Sequence, residues 1–230
     1  MEPCLSALIQ IGFDISEYWR TIVKKWFLSV IVCLFALTPL HAAEFELGVH
    51  YQLLKEPQPT QTGDQIEVLE LFWYGCPHCY SLEPHIEKWL KNKPKNAEYV
   101  PLPAVLRDSW AIDARAFYTF EALGAVEPLH AAFFNAIHAQ KRQFRTPQDL
   151  AEFAAEHGVD KKQFLDAYNS FAVDTKLRHA QSMVRKYETT GVPTIIVDGK
   201  YRATASMAGN QETLMRLVNF LVAKTAEERS

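Results

Sequence analysis

The chain has 230 residues, of which 48% are hydrophobic, and its 24 lysines and arginines against 27 aspartates and glutamates give a net charge of −3. Such a composition is that of a globular protein long enough for one large or two small folding units. Because the chain is slightly acidic and has no basic stripe, nucleic acid is excluded as an expected partner.

The first 43 residues have the order of a secretory signal peptide. A pair of lysines precedes an apolar run over residues 26–37, and small residues follow up to Ala42 and Ala43. The run is shorter than the roughly 20 residues that a membrane-spanning helix needs. We therefore predict that residues 1–43 are a signal peptide, cleaved after Ala42 or Ala43, and that the mature protein is exported. An uncleaved N-terminal anchor is the alternative.

Cleavage would leave a single pair of cysteines. Cys4 and Cys33 lie in the removed segment, and Cys76 and Cys79 remain. An exported protein whose only cysteines form a Cys-x-x-Cys pair has no other structural disulfide to make, which favours a redox role for the pair. The alternative is half of a zinc site, but structural zinc takes four Cys or His ligands in paired spacings, and no second Cys-x-x-Cys exists. We therefore predict no metal site.

The first part of the mature chain is predicted to be of βαβ type. After an extended lead-in over residues 44–63, the patterns predict a buried strand, a helix and a short strand at 64–73, 79–91 and 99–102. The next block has only helical patterns, at 111–123, 128–140, 147–158, 160 onward and 171–187.

Strand patterns return near the C-terminus. Two strands at 193–197 and 200–204 flank Asp198-Gly199, a strong hairpin signal, and an amphipathic helix is predicted at 211–224. The order predicts an α/β domain in two parts, 44–105 and 188–230, interrupted by an all-helical insertion domain at 106–187.

Cys76-Pro77-His78-Cys79 stands between the first strand and the first helix. A thiol at a helix N-terminus ionises more readily, because unpaired backbone N–H groups and the helix dipole favour negative charge. Pro77 suits the first helical turn, where an N–H would be unpaired anyway, and His78 can place a positive charge or a donor beside the Cys76 sulfur. Since the thiolate does disulfide chemistry, the motif predicts a reversible redox disulfide, Cys76–Cys79.

Three features carry a resemblance to a known family: the Cys76–Cys79 motif, Gly191-Val192-Pro193-Thr194, and the helical block between them. From about Val49 to its end, the chain resembles the thioredoxin superfamily, and within it the bacterial periplasmic thiol oxidases of the DsbA type. The resemblance implies a thioredoxin-like fold with an all-helical insertion domain, a periplasmic location and no prosthetic group.

The resemblance also implies roles for residues outside the cysteine motif. Val192-Pro193 would be a cis peptide facing the cysteines, and the backbone of Val192 would pair with an extended substrate; an ordinary trans turn is the alternative. Glu70 matches a buried acidic residue of the family that takes part in proton transfer. Glu83 matches a second acidic position, with a solvated helix face as the alternative. The basic residue that the family often has on the neighbouring strand is missing from residues 98–101.

Aromatic and histidine side chains complete the expectations. We interpret Trp73, Tyr74 and Trp110 as core residues, with an apolar surface near the cysteines as the alternative for the first two. The remaining histidines of interest are expected at the surface or at helix caps: His85, His130, His138, His157 and His179.

The activity that the resemblance implies is donation of the Cys76–Cys79 disulfide to unfolded exported proteins with free thiols. A quinone-linked inner-membrane protein of the DsbB type would re-oxidise the pair, and the protein itself would be a monomer. The alternatives are a disulfide isomerase or reductase of the same superfamily, a non-redox periplasmic chaperone or peptide-binding module, and a membrane-tethered oxidase.

Overall fold

The structure is a computed structural model that describes residues 44–230, so the predicted signal peptide lies outside the described residues. Within the described part, no helix has the length and apolar character needed to cross a membrane.

A five-stranded sheet with the order β1-β5-β4-β2-β3 carries the site. Its strands are β1 Gln52–Leu53, β2 Ile66–Phe72, β3 Ala97–Pro103, β4 Thr194–Val197 and β5 Tyr201–Ala203. The central β2 pairs in parallel with β3 and antiparallel with β4, and all of its residues are buried, as its apolar sequence predicts.

The predicted hairpin is confirmed. Asp198 and Gly199 connect β4 to β5 and have φ angles of 57° and 60°, the positive values that a tight hairpin turn of this kind needs. The lead-in over residues 44–63 is not wholly extended coil as predicted. It contains β1, whose two residues pair with β5 and are too few to give a strand pattern.

Helix α1, Pro77–Leu90, begins two residues before the predicted start. The backbone of Cys76 is extended, with φ −88° and ψ 117°, and its sulfur accepts a hydrogen bond from the backbone N–H of Cys79. Cys76 is therefore the N-cap residue, and Pro77 occupies the first turn as predicted.

The elements between residues 108 and 186 are helical, as the sequence pattern predicts. After a short 3₁₀ helix at Asp108–Trp110, which was not predicted, they are α2 Ala111–Ala122, α3 Val126–His138, α4 Pro147–Glu156, α5 Lys161–Tyr168 and α6 Phe171–Lys186. Thr146 and Asp149 form the predicted N-terminal cap of α4 as a reciprocal capping box. At α5, the Asp160 side chain accepts from the N–H of Gln163.

Two helices follow β5. The short α7, Ala205–Ala208, was not predicted, and α8, Gln211–Arg229, continues five residues beyond the predicted end at Lys224.

Two hydrophobic clusters fill the two faces of the sheet. Side chains alternate along β2, so that Leu69 and Leu71 join the cluster built with α2–α6, whereas Ile66 and Val68 join the cluster built with α1 and α8. Residues Phe45–Ser230 form one compact unit around these clusters, with the cysteine motif at the end of β2.

Candidate active site

The two cysteines lie next to each other at the N-terminus of α1. Both are free thiols, with Cys76 6% exposed and Cys79 0% exposed. The Cys76 sulfur lies 3.4 Å from the backbone nitrogen of Cys79 and 3.5 Å from the carbonyl oxygen of Val192. Both thiols are thus buried, and Cys76 is the one that keeps a small exposed fraction.

The surroundings separate the acidities of the two thiols. The pKa of Cys76 is lowered from 9.0 to about 6, chiefly by a hydrogen bond from the Cys79 thiol and further by the backbone N–H groups of Cys79 and His78, against the opposing effect of burial. The charge of His78 makes the smallest of these contributions. Burial raises the pKa of Cys79 strongly, and the neighbouring Cys76 and Glu70 add to that rise. At neutral pH the site thus holds its negative charge on Cys76.

Pro77 and His78 are exposed beside the cysteines. The carbonyl oxygen of His78 accepts a hydrogen bond from the Gln211 side chain at 3.1 Å, and this amide also donates to the Ser81 hydroxyl at 2.7 Å. The first turn of α1 is thus tied to α8, and the His78 ring is left to the solvent-facing side of the motif.

The Val192-Pro193 peptide is cis, as the resemblance implies, and its Val192 carbonyl faces the Cys76 sulfur. A cavity of about 760 Å³ lies beside this loop, and its lining includes His78, Val192, Pro193 and Met207. The cavity thus shares Val192 with the contact to the Cys76 sulfur.

Glu70 is fully buried in β2, as predicted for a carboxylate in an apolar strand. Val68 and Glu70 pair with Tyr99 and Pro101 of β3, so Tyr99 lies diagonal to Glu70, and its hydroxyl donates a hydrogen bond to the carboxylate. The other oxygen of Glu70 is buried without a hydrogen-bond partner among the described residues. Burial first, and repulsion from Glu83 second, raise the pKa of Glu70 to about 8.

Glu83 does not lie on a solvated helix face, the alternative considered above. It follows Cys79 by four residues, one helical turn, and its side chain is only 12% exposed. One of its oxygens is buried without a partner in the described part of the chain, and the other lies 3.4 Å from Nε2 of His130 in α3.

The expectation that His130 and His138 lie at the surface or at caps was wrong. Nδ1 of His130 lies 2.8 Å from the Tyr74 hydroxyl. Nε2 of His138 is 2.8 Å from the Tyr74 carbonyl oxygen, and its ring stacks on Tyr80. His157 is the C-cap residue of α4, as predicted. The helical block thus brings two histidines to the segment before Cys76, a contact that no local motif signals.

The aromatic residues near the motif pack inward. Tyr74 is fully buried. Trp73 stacks on Trp110 with ring centroids 4.1 Å apart, and its indole N–H donates to Asp113 at 2.6 Å. The interpretation of Tyr74 as a core residue is confirmed, while Trp73 and Trp110 are half-buried beside the site.

The fold and the cysteine pair define a redox protein of the thioredoxin type. The family described as the DSBA-like thioredoxin domain matches residues 101–218. The thiol:disulfide interchange protein DsbA of Pseudomonas aeruginosa is 40% identical over 183 residues, 80% of this chain and 87% of that protein. That of Azotobacter vinelandii is 38% identical over 215 residues, 90% of this chain and 99% of that protein.

Solved structures agree with the sequence relatives. The crystal structure of Pseudomonas aeruginosa DsbA has a TM-score of 0.78 at 39% identity and covers 82% of this chain and 98% of its own. The crystal structure of the oxidoreductase DsbA from Xylella fastidiosa has a TM-score of 0.73 at 30% identity and covers 77% of this chain and 96% of its own. The chain therefore belongs to the DsbA family of thioredoxin-like proteins, and it is a thiol:disulfide oxidoreductase.

Proposed function

We propose that the protein is a dithiol oxidase that donates a Cys76–Cys79 disulfide to newly exported proteins. The observation that supports oxidation of the substrate, and not its reduction, is the lowered pKa of Cys76, about 6, beside a Cys79 thiol whose pKa is strongly raised. A stabilised Cys76 thiolate favours the reduced form of the pair and is a good leaving group, and both properties make the disulfide a strong oxidant.

The reaction has two exchange steps. A substrate thiolate attacks the Cys76 sulfur, the Cys76–Cys79 bond breaks, and its electron pair goes to the Cys79 sulfur. A second substrate thiolate then attacks the sulfur that is bound to Cys76, and Cys76 leaves as a thiolate. The substrate loses two electrons and gains a disulfide, and the protein leaves as the dithiol.

Glu70 is the proposed proton donor to Cys79. The Cys79 sulfur leaves as a thiolate in a buried position, where its raised pKa demands a proton. The pKa of about 8 keeps the Glu70 carboxyl protonated at neutral pH, and its charge, when present, acts on Cys79. The proton therefore moves from Glu70 to Cys79 during donation, after which Glu70 takes up a proton from solvent; during re-oxidation Cys79 loses its proton to Glu70, which releases one to solvent.

Substrate binding is assigned to the loop around Val192 and Pro193. An extended substrate segment can pair with exposed backbone in this loop while its side chains enter the adjacent cavity of about 760 Å³. The mixture of Pro193, Val192 and Met207 with polar residues such as Thr204 in this lining suits varied sequences.

The setting of the reaction is also proposed. The charged, apolar and small-residue order of residues 1–43 supports export to the periplasm. A quinone-linked membrane protein of the DsbB type would re-oxidise the pair, and the protein would act as a monomer. The uninterrupted helices between the sheet segments support the division into a thioredoxin-like domain, 44–105 and 188–230, and a helical domain, 106–187.

The test is oxidation of an unfolded peptide with two cysteines by the purified disulfide form. We expect stoichiometric formation of the peptide disulfide by the wild-type protein and none by Cys76→Ser, with the reduced wild-type protein as the matched control. Retained oxidation by Cys76→Ser would overturn the assignment. The chaperone alternative would be favoured by two results together. The wild-type protein would oxidise no peptide, and the double variant Cys76→Ala/Cys79→Ala would still prevent aggregation of an unfolded substrate.

A further inference from the structure

The proposed function leaves the route of the proton to solvent open. In each cycle a proton reaches Cys79 and later leaves it, yet Cys79 and Glu70 are both 0% exposed. The neighbouring β3 contributes Tyr99, whose pKa is raised well above 10.0 by burial and which therefore remains a neutral phenol. Proton exchange with solvent therefore requires a further group that connects these buried residues to the protein surface.

Glu83 extends the buried acidic site away from the sheet. Glu70 and Glu83 each have one buried oxygen without a hydrogen-bond partner among residues 44–230. Repulsion between the two carboxylates is the second cause of the raised pKa of Glu70. Two buried carboxyl groups that repel each other are best satisfied when they hold one proton between them.

His130 connects this pair to the surface. Its Nε2 lies 3.4 Å from Glu83, its Nδ1 lies 2.8 Å from the Tyr74 hydroxyl, and its side chain is 17% exposed. The Tyr74 hydroxyl can donate to a neutral imidazole and accept from an imidazolium. His130 can therefore gain or lose a proton without leaving a buried polar atom unpaired.

We propose that His130 is a positioning residue for the redox reaction that acts through Glu83, carrying protons between solvent and the buried Glu70–Glu83 pair. During donation, one proton passes from solvent to His130, from His130 to Glu83, and on through Glu70 to the Cys79 thiolate. Re-oxidation reverses the order and returns one proton to solvent. Helix α3 thereby supplies a basic residue, His130, that β3 beside Glu70 lacks.

Few titratable groups of the described residues face the His130 ring. Glu83 from α1 and Tyr74 from the segment after β2 face its two nitrogens, and Asp113 of α2 acts on Tyr74 through its charge. The other ring neighbours are the phenylalanines Phe72 of β2, Phe117 of α2 and Phe134 of α3, which pack edge-on. Among the described residues, Glu83 is thus the carboxylate that directly contacts the His130 ring.

The test compares His130→Gln with His138→Gln, a matched control on the same helix that contacts the Tyr74 carbonyl but not Glu83. Single-turnover oxidation of a dithiol peptide is followed against pH for both variants. We expect His130→Gln to slow the reaction about tenfold or more, since general acid–base groups contribute factors of this size or larger, and to remove one limb of the pH profile. Free imidazole should restore the rate, and His138→Gln should keep the wild-type profile.

Equal slowing in both variants without rescue by imidazole would show that His130 is only structural and would overturn the proposal, as would an unchanged profile in His130→Gln. Should His130→Gln not fold, Tyr74→Phe provides the same test, because it removes the hydroxyl group that contacts Nδ1 of His130. We expect Tyr74→Phe to shift the same limb of the pH profile. An unshifted limb would reject the proposal. A wild-type protein that oxidises no peptide would instead refute the proposed function itself.

Discussion

Tyr99 donates its hydroxyl hydrogen to the carboxylate of Glu70 inside the sheet. The sequence offered no basic partner for Glu70 on the neighbouring strand, and the structure gives it a neutral one. A phenol satisfies one carboxylate oxygen without neutralising its charge, so the carboxyl remains better satisfied when it is protonated.

Replacement of Glu70 should change how stability depends on pH. The pKa of Glu70 is raised from 4.5 to about 8. Its stabilising effect is therefore complete below the unfolded pKa and is lost as pH rises through the folded pKa. In that window the wild-type protein should lose about 1.4 kcal/mol per pH unit relative to Glu70→Gln. Denaturant unfolding at a series of pH values measures the difference, and parallel stability curves would contradict the raised pKa.

The stability of the reduced form relative to the oxidised form should rise with pH, opposite to the effect of Glu70. The pKa of Cys76 is lowered to about 6 from 9.0, so its stabilising contribution is present above the unfolded pKa and is lost as pH falls through the folded pKa. We expect the dithiol form to gain stability over the disulfide form as pH rises across this window. Unfolding of both forms, with thiolate absorbance as an independent titration, measures it; a Cys76 thiolate that appears only above neutral pH would contradict it.

The Cys79 thiol, more than His78, should set the acidity of Cys76. The hydrogen bond from Cys79 is the largest cause of the lowered pKa, and the charge of His78 is the smallest. Cys79→Ala should therefore raise the pKa of Cys76 more than His78→Leu does. The pH dependence of alkylation of Cys76 measures both variants. A larger rise in His78→Leu would show that the imidazolium charge dominates.

Much of the fold follows from local sequence signals. The apolar β2, the Asp198-Gly199 turn and the Thr146 cap each depend on residues close together in the chain, and each is confirmed. Strand β1 was missed because its two residues are defined by pairing with β5 and not by a pattern of their own.

The cysteine motif could likewise be found from sequence, whereas its buried support could not. Tyr99, Glu83 and His130 meet around Glu70 and Tyr74 only after β3, α1 and α3 pack together. A histidine 56 residues away from its tyrosine partner gives no spacing signal. Periodicity places such a residue on a helix, but the contact is made by tertiary packing.

Gly75 has a steric role beside the motif. A Cβ atom at this position would overlap the ring of Trp73, whereas one at Gly191 would meet nothing within 4 Å. Gly75→Ala should displace Trp73 from its stack on Trp110 and destabilise the protein by about 1–3 kcal/mol, the usual effect of overpacking. Gly191→Ala, as the control, should change stability by no more than about 0.5 kcal/mol. Thermal unfolding compares the two, and equal stabilities would contradict the predicted overlap.

The redox potential of the Cys76–Cys79 pair tests the central claim most directly. Equilibration of the protein with glutathione buffers, followed by quantification of the dithiol and disulfide forms, gives the value. A dithiol oxidase of the DsbA type predicts a strongly oxidising pair, at about −120 mV. A value of about −270 mV, that of a thioredoxin-like reductant, would contradict the proposed oxidase function and would assign the pair to a reducing pathway.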